Sequence, residues 1–302
     1  MKNQLKTIVL LGSLSALVVG LGALVAPGHL YLFGALALAM NLGAYFFSDR
    51  IVLRMHHARE VGPQEAPELH AMVGELSAKA GIPRPRLYVI PEDQPNAFAT
   101  GRNPAHGVVA VTEGIVRILS PRELRGVLAH ELAHIKNRDI LVSTIAAAAA
   151  ALVTYVAQAI SFGSLFGASR EDDSEGGGPG GGLLVALVAP LAATVIQMGI
   201  SRSREYLADE TGARLSGDPE ALASALLKLE RAATVVPAAA SPATASLFIV
   251  NPFGAMATVS RWFSTHPATQ ERVQRLLAMT GDASTRRWDG RRAQAPRFVG
   301  EW

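Results

Sequence analysis

The sequence predicts an α-helical multi-pass membrane protein with four spans and an α+β domain on the cytoplasmic side. Three observations carry this. Long stretches hold no charged residue: Ile8 to Ala26, Gly28 to Phe47, Ile140 to Ser169 and Leu183 to Ile200. Basic residues gather at one end of each stretch, and the polar segments between them carry short strand and helix signals. The composition agrees, since 49% of the 302 residues are hydrophobic and 18% charged, against about a quarter charged in a soluble domain.

The first element is a hairpin. A span needs about 20 predominantly apolar residues at 1.5 Å rise each, and the first two stretches meet that length. Lys2 and Lys6 precede the first, as in a secretory signal. Its apolar core is too long for one, no Ala-x-Ala site follows, and a second apolar run begins at once. Two spans, about 8–26 and 29–47, therefore turn at Ala26-Pro27-Gly28. The third and fourth, about 140–166 and 183–200, flank an acidic, Gly-rich loop over 167–182. Lys2 and Lys6 precede span one, while Arg50, Arg54 and Arg59 follow span two. Lys136 and Arg138 precede span three, and Arg202 and Arg204 follow span four. The hairpin turn has no Lys or Arg, and the loop sets Arg170 against Glu171, Asp172, Asp173 and Glu175. All four spans agree in placing both termini and residues 49–139 in the cytoplasm.

Within 49–139, Glu65 to Ala80 has helical apolar spacing at Leu69, Met72, Val73 and Leu76 and stops at Gly81. Arg86 to Pro91, Asn96 to Thr100 and Gly107 to Thr112 read as strands, followed by a short helix from Glu113 to Leu119. Ser120-Pro121-Arg122-Glu123 combines a Ser N-cap, Pro at the first helical position and Glu at the third. A helix therefore runs from Pro121 to Asn137, weakened only at Gly126. In the second polar part, 202–281, Ser203 to Leu215 is a helix ending near Gly217, and Asp218-Pro219 starts another to about Ala233. Thr234 to Pro252 lacks periodicity and reads as a mobile loop. His266-Pro267 opens a last helix ending before Gly281. The basic tail 282–302, with Arg286, Arg287, Arg291, Arg292 and Arg297, reads as disordered and drawn to anionic lipid heads rather than to nucleic acid.

The absence of cysteine excludes a disulfide scaffold, an iron–sulfur centre, a thiol nucleophile and a thiolate zinc site. Any metal must be held by His, Asp or Glu. On the capped helix stands His130-Glu131-Leu132-Ala133-His134. Two His four apart project from one helix face and can reach one ion, while Glu131 is offset beside it, placed to take a proton from a metal-activated water. In a chain with eight His this pattern arises by chance about once in a hundred such sequences, so its context matters. Catalytic zinc takes three protein ligands and leaves one position open. By spacing alone Glu205, Asp209 and His266 are comparable third ligands; Glu205 and Asp209 share a helix face, so one can bind while the other orients a ligating His.

His130-Glu-Leu-Ala-His134 and Glu205-Tyr-Leu-Ala-Asp209, with two spans between them and two before, resemble the HtpX family. These are bacterial membrane-bound zinc metalloproteases of the heat-shock response, related to the CAAX prenyl protease. Asn96-Ala-Phe-Ala-Thr-Gly101 and Thr265-His266-Pro267 with Arg272 match the family pattern too, and the resemblance covers residues 1–280. It implies a zincin-like protease domain holding one zinc ion (Zn2+) on His130, His134 and Glu205, with Glu131 as catalytic base and Asp209 behind the ligands. His266 and Arg272 would lie close by, holding Asp209 or the oxyanion. The strand Asn96, Ala97, Phe98, Ala99 and Thr100 would pair with an extended peptide by β-strand addition. The implied setting is the inner membrane, the partners are misfolded membrane proteins and the lipid bilayer, and a homo-oligomer is permitted. Competing readings are an intramembrane metalloprotease, which the charged residues Arg122, Glu123, Lys136 and Asp139 around the motif oppose, and an inactive zinc-binding scaffold. A transporter is disfavoured because the spans hold no ionisable residue except His29.

Overall fold

The computed structural model describes residues 2–25, 27–146, 202–235, 247–250 and 267–292, with side chains in the last segment described to residue 280. In chain order the elements are α1 (Lys2–Val25), a 3-10 turn (Pro27–His29), α2 (Leu30–Met55), β1 (Arg59–Glu60), α3 (Pro67–Ala80), β2 (Arg86–Ile90), β3 (Ala97–Thr100), β4 (Val108–Thr112), α4 (Glu113–Ile118), α5 (Pro121–Lys136), α6 (Arg202–Ser216), α7 (Pro219–Val235) and α8 (Thr269–Arg292). Residues 140–146 are also helical.

α1 and α2 fold back on each other around the Pro27–His29 turn. Asn41 Nδ2 on α2 donates to the Leu11 carbonyl (3.2 Å) and to Ser15 Oγ (2.7 Å) on α1. Such polar clasps hold helix pairs where apolar packing alone discriminates poorly. Leu30, Tyr31, Leu32, Leu36, Leu38, Leu42, Phe46 and Phe47 are exposed. Among the described residues α2 is the one helix long and apolar enough to cross a membrane. Most of the expected third span, the loop over 167–182 and the whole of the fourth lie outside the described residues.

The sheet has four strands in the order β1-β2-β4-β3. β2 runs parallel to β4, with Leu87 opposite Val109, and β3 is antiparallel to β4, with Phe98 opposite Ala110. Two-residue periodicity sends Leu87, Ala97, Ala99, Val109 and Val111 to one face, where they join the core of α3, α5 and α7. The other face, with Ile90, Phe98, Val108 and Ala110, is covered by Val52 and Leu53 at the end of α2 and by Leu247. The hairpin is thus docked on the sheet rather than tethered to it. β1, only two residues long, has no period that a sequence reading could detect.

α5 forms the centre. Val127, Leu128, Leu132 and Ile135 are fully buried, each stabilising the fold by about 1.5–3 kcal/mol. Its capping box is complete: Ser120 accepts from the Glu123 N–H and Glu123 from the Ser120 N–H. The same Glu123 carboxylate accepts from Ser224 Oγ and Lys228 Nζ, both at 2.7 Å, tying α5 to α7. Gly126, expected to weaken α5, has a packing role: a Cβ there would stand 3.0 Å from the Leu222 backbone of α7.

Two expectations are corrected. Residues 247–250, inside the segment expected to be a mobile loop, are buried, and Ile249 N–H donates to Asn96 Oδ1 at 3.1 Å. Leu247, Phe248, Ile249 and Val250 are four consecutive apolar residues, a local signal that the surrounding Ala, Pro and Ser dilute. The last helix passes Gly281 and continues to Arg292 through the start of the tail expected to be disordered. Arg and Ala there favour helix, and Gly281 and Gly290 cost only about 1 kcal/mol each. Residues 293–302 lie outside the described residues.

Candidate metal centre

α5 presents His130 and His134 on one face, with their Nε2 atoms 3.1 Å apart. α6 crosses this face and brings Glu205, whose oxygens stand 3.8 Å from each Nε2. The approach depends on Gly212, where a Cβ would meet the His130 backbone at 2.8 Å. Two turns separate Glu205 from Gly212 on the same face of α6, so the close contact seats the carboxylate over the imidazoles.

These three side chains each offer one donor atom, all within 4.8 Å of one another. Tetrahedral bonds of about 2.0–2.1 Å require donor separations of about 3.3–3.5 Å; the imidazole nitrogens stand 3.1 Å apart, and each faces a different Glu205 oxygen at 3.8 Å, close to that spacing. Both Nδ1 atoms face carboxylates: His130 Nδ1 lies 2.9 Å from Asp209 Oδ1, and His134 Nδ1 lies 3.1 Å from Asp139 Oδ1. This fixes the rings with Nε2 turned inward, the arrangement of a ligating imidazole. The donor set fits a divalent ion.

Behind the ligands, Arg272 of α8 is buried and grips Asp209 through two bonds, Nε to Oδ2 at 2.8 Å and Nη2 to Oδ1 at 2.7 Å. Its Nη1 donates to the Ile249 carbonyl at 2.8 Å. Of the two roles expected for Arg272, holding Asp209 is the one its contacts fit. His266 lies outside the described residues. Asp139 was missed by the sequence reading. It stands just beyond α5, and Arg138, at φ 56°, turns the chain so that the carboxylate returns beneath His134.

The electrostatics follow from burial against partners. Burial acts to raise the Asp209 carboxyl, but Arg272 and His130 overrule it and hold it at about 2. Burial pulls His130 below its usual value, with Asp209 opposing. For His134 burial also acts downwards, yet Asp139, Glu205 and Glu131 together push it up to about 10. Glu131, 3% exposed, is pushed up to about 8 by burial, with His134 opposing, while the Ala99 N–H donates to its carboxylate. A cluster this acidic, gathered around two imidazoles, favours a cation at the Nε2 atoms.

β3 is an edge strand. The Thr112 N–H donates to the Asn96 carbonyl, so alternation along the ladder turns the peptide groups of Phe98 and Thr100 toward β4 and those of Ala97 and Ala99 away from it, toward α5 and Glu131. Asn96, expected to share in peptide binding, precedes the strand and commits its side chain to Ile249.

Residues 63–280 match the model of peptidase family M48. A protease HtpX homolog of Syntrophobacter fumaroxidans is 53% identical over 283 residues, 92% of this chain and 100% of that relative. Another, from Pelotomaculum thermopropionicum, is 52% identical over 92% of this chain and 99% of its own length. A third, from Thermococcus kodakarensis, is 50% identical over 90% and 94%. Among solved structures, that of S. mikatae Ste24p aligns at a TM-score of 0.49 and 20% identity, over 91% of this chain and 65% of that one.

Proposed function

The chain belongs to peptidase family M48 and is a metalloprotease, and on that footing we propose that it is a zinc-dependent membrane endopeptidase cleaving misfolded or damaged membrane proteins at a site facing the cytoplasm. The observation that carries this is the convergence of His130, His134 and Glu205 beside a buried Glu131. We assign the three as zinc ligands and Glu131 as the base.

Bound zinc supplies Lewis-acid polarisation of the scissile carbonyl and of the attacking water. Glu131 takes the proton of that water and delivers it to the leaving amine nitrogen. The Ala99 N–H holds the Glu131 carboxylate in place, and the outer edge of β3 would receive the peptide as an added strand, fixing the scissile bond against α5. Asp209 and Asp139 keep the imidazoles turned inward, and Arg272 keeps Asp209 charged. Four spans and cytoplasmic termini complete the proposal, supported by the exposed apolar face of α2 and the basic residues at the span ends.

The test is cleavage of casein by detergent-purified chain, stripped by chelation and then given zinc, beside Glu131→Gln with bound zinc counted in both. We expect zinc-dependent cleavage that Glu131→Gln loses by at least about a hundredfold while still binding one zinc. Zinc bound in both with cleavage in neither favours the scaffold, and no zinc in either removes the site.

A further inference from the structure

We infer that the helical residues 140–146, preceded by Asp139, are the part through which the membrane hairpin sets the geometry of the metal centre, with Asp139 and Thr144 as positioning residues. Three contacts converge on it. Asp139, 3% exposed, places its two oxygens 3.1 and 3.2 Å from His134 Nδ1. α5 ends at Lys136, and Asp139, whose N–H donates to the His134 carbonyl at 3.3 Å, stands at the joint between α5 and the following helical residues, so the carboxylate that orients His134 is exposed to shifts of both. One turn further on, Thr144 donates to the Ile140 carbonyl at 2.6 Å and accepts from the Thr100 hydroxyl of β3 at 3.1 Å. Thr100 directly follows Ala99, the residue that meets Glu131. Beside Thr144 in the chain, Ile145 and Ala146 are buried in a cluster with Ala44 of α2, with Leu11 of α1 packed on it.

Residues 139–146 thus touch the hairpin and reach both His134 and the strand beside Glu131. From Asp139 to Ile145 is six residues, about 9 Å along a helix, which is too short to absorb a displacement by bending. Close-packed contacts transmit small shifts rather than damping them, and metal sites tolerate errors of only about 0.2 Å in ligand distance. A change in how the helix seats on the hairpin is therefore felt at His134.

The test uses the full chain in detergent. It reads zinc affinity by competition with a chelator, kcat and KM on casein, and helix content by circular dichroism. Asp139→Ala is expected to weaken zinc binding about 10–100-fold, and Asp139→Asn, which keeps an acceptor oxygen, to recover most of that loss. Ala44→Leu, which overfills the hairpin contact far from the ligands, is expected to weaken zinc binding at least threefold in the otherwise native chain and less than twofold when Asp139 is already Ala. Thr144→Val keeps the volume and removes the link to Thr100. It is expected to leave zinc affinity within twofold and lower kcat several-fold with little change in KM. Equal losses from Ala44→Leu in both backgrounds, or none in either, overturn the inference, as does undiminished affinity in Asp139→Ala. If Asp139→Ala fails to fold, the Thr144→Val result decides, and an unchanged kcat overturns it. The inference rests on His134 being a ligand: a native chain that binds no zinc removes that reading, whereas zinc bound equally by every variant removes the inference alone.

Discussion

At the scale of single residues, Glu131 and Asp209 show opposite outcomes of burial. Glu131 has no cation bonded to it and rises to about 8; Asp209 is gripped by Arg272 and falls to about 2. The signs of their stability effects follow. Between its unfolded value near 4.5 and about 8, Glu131 binds more proton folded than unfolded, so its contribution is present at low pH and is lost as pH rises. Glu131→Gln fixes the neutral form. In chelator, its melting temperature at pH 8 is expected to exceed that of the native chain by at least about 2 °C, with the gap closing toward pH 4.5. Asp209 runs the other way, its contribution intact above pH 4 and lost as pH falls from about 4 to 2. Arg272→Ala leaves that carboxylate buried without its partner, at a cost of about 3–5 kcal/mol. Denaturant titration at pH 7 checks the size, and a flattened stability profile between pH 4 and 2 checks the cause.

At the scale of elements, what was legible follows from where the signals lie. The α5 helix announces itself because its cap, its proline and its ligands are local in sequence. β2, β3 and β4 could be read because their apolar runs are bounded by turn residues. Glu205 and Asp209 were visible as a spaced acidic pair that spacing alone left open; the family resemblance pointed to Glu205, and the crossing of α6 over α5, which hangs on Gly212, brings it to the imidazoles. A glycine inside a helix reads from sequence only as a weak point; its value lies in a partner some 80 positions away. Asp139 stayed hidden because it reaches His134 through a left-handed turn, to which no helical spacing points. Gly212→Val tests the crossing. With 2.8 Å between its Cβ and the His130 backbone, the helices must part, and we expect zinc binding to fall at least about tenfold, measured by chelator competition, while Gly126→Ala in the looser contact with Leu222 leaves it unchanged.

At the scale of the whole molecule, the sheet lies between hairpin and site, with the end of α2 on one face and the ligand-bearing helix on the other. The proposed topology places the acidic Gly-rich loop across the membrane from both. Because the native chain has no cysteine, Ser174→Cys gives a single label site. We expect an impermeant thiol reagent to reach it from the outer side of sealed vesicles of known orientation, and labelling only from the cytoplasmic side refutes the four-span arrangement.

The groups that build the centre are scattered along the chain, from His130 through Glu205 to Arg272, a distance of 142 positions. The order of biosynthesis follows from this. While α5 and the hairpin are already made, Glu205 and the guanidinium that secures Asp209 are still unmade or within the ribosome. No complete centre exists until α8 has emerged, and in the proposed arrangement the four spans are made before it. A centre whose parts come together so late in synthesis is completed by the one arginine that secures Asp209.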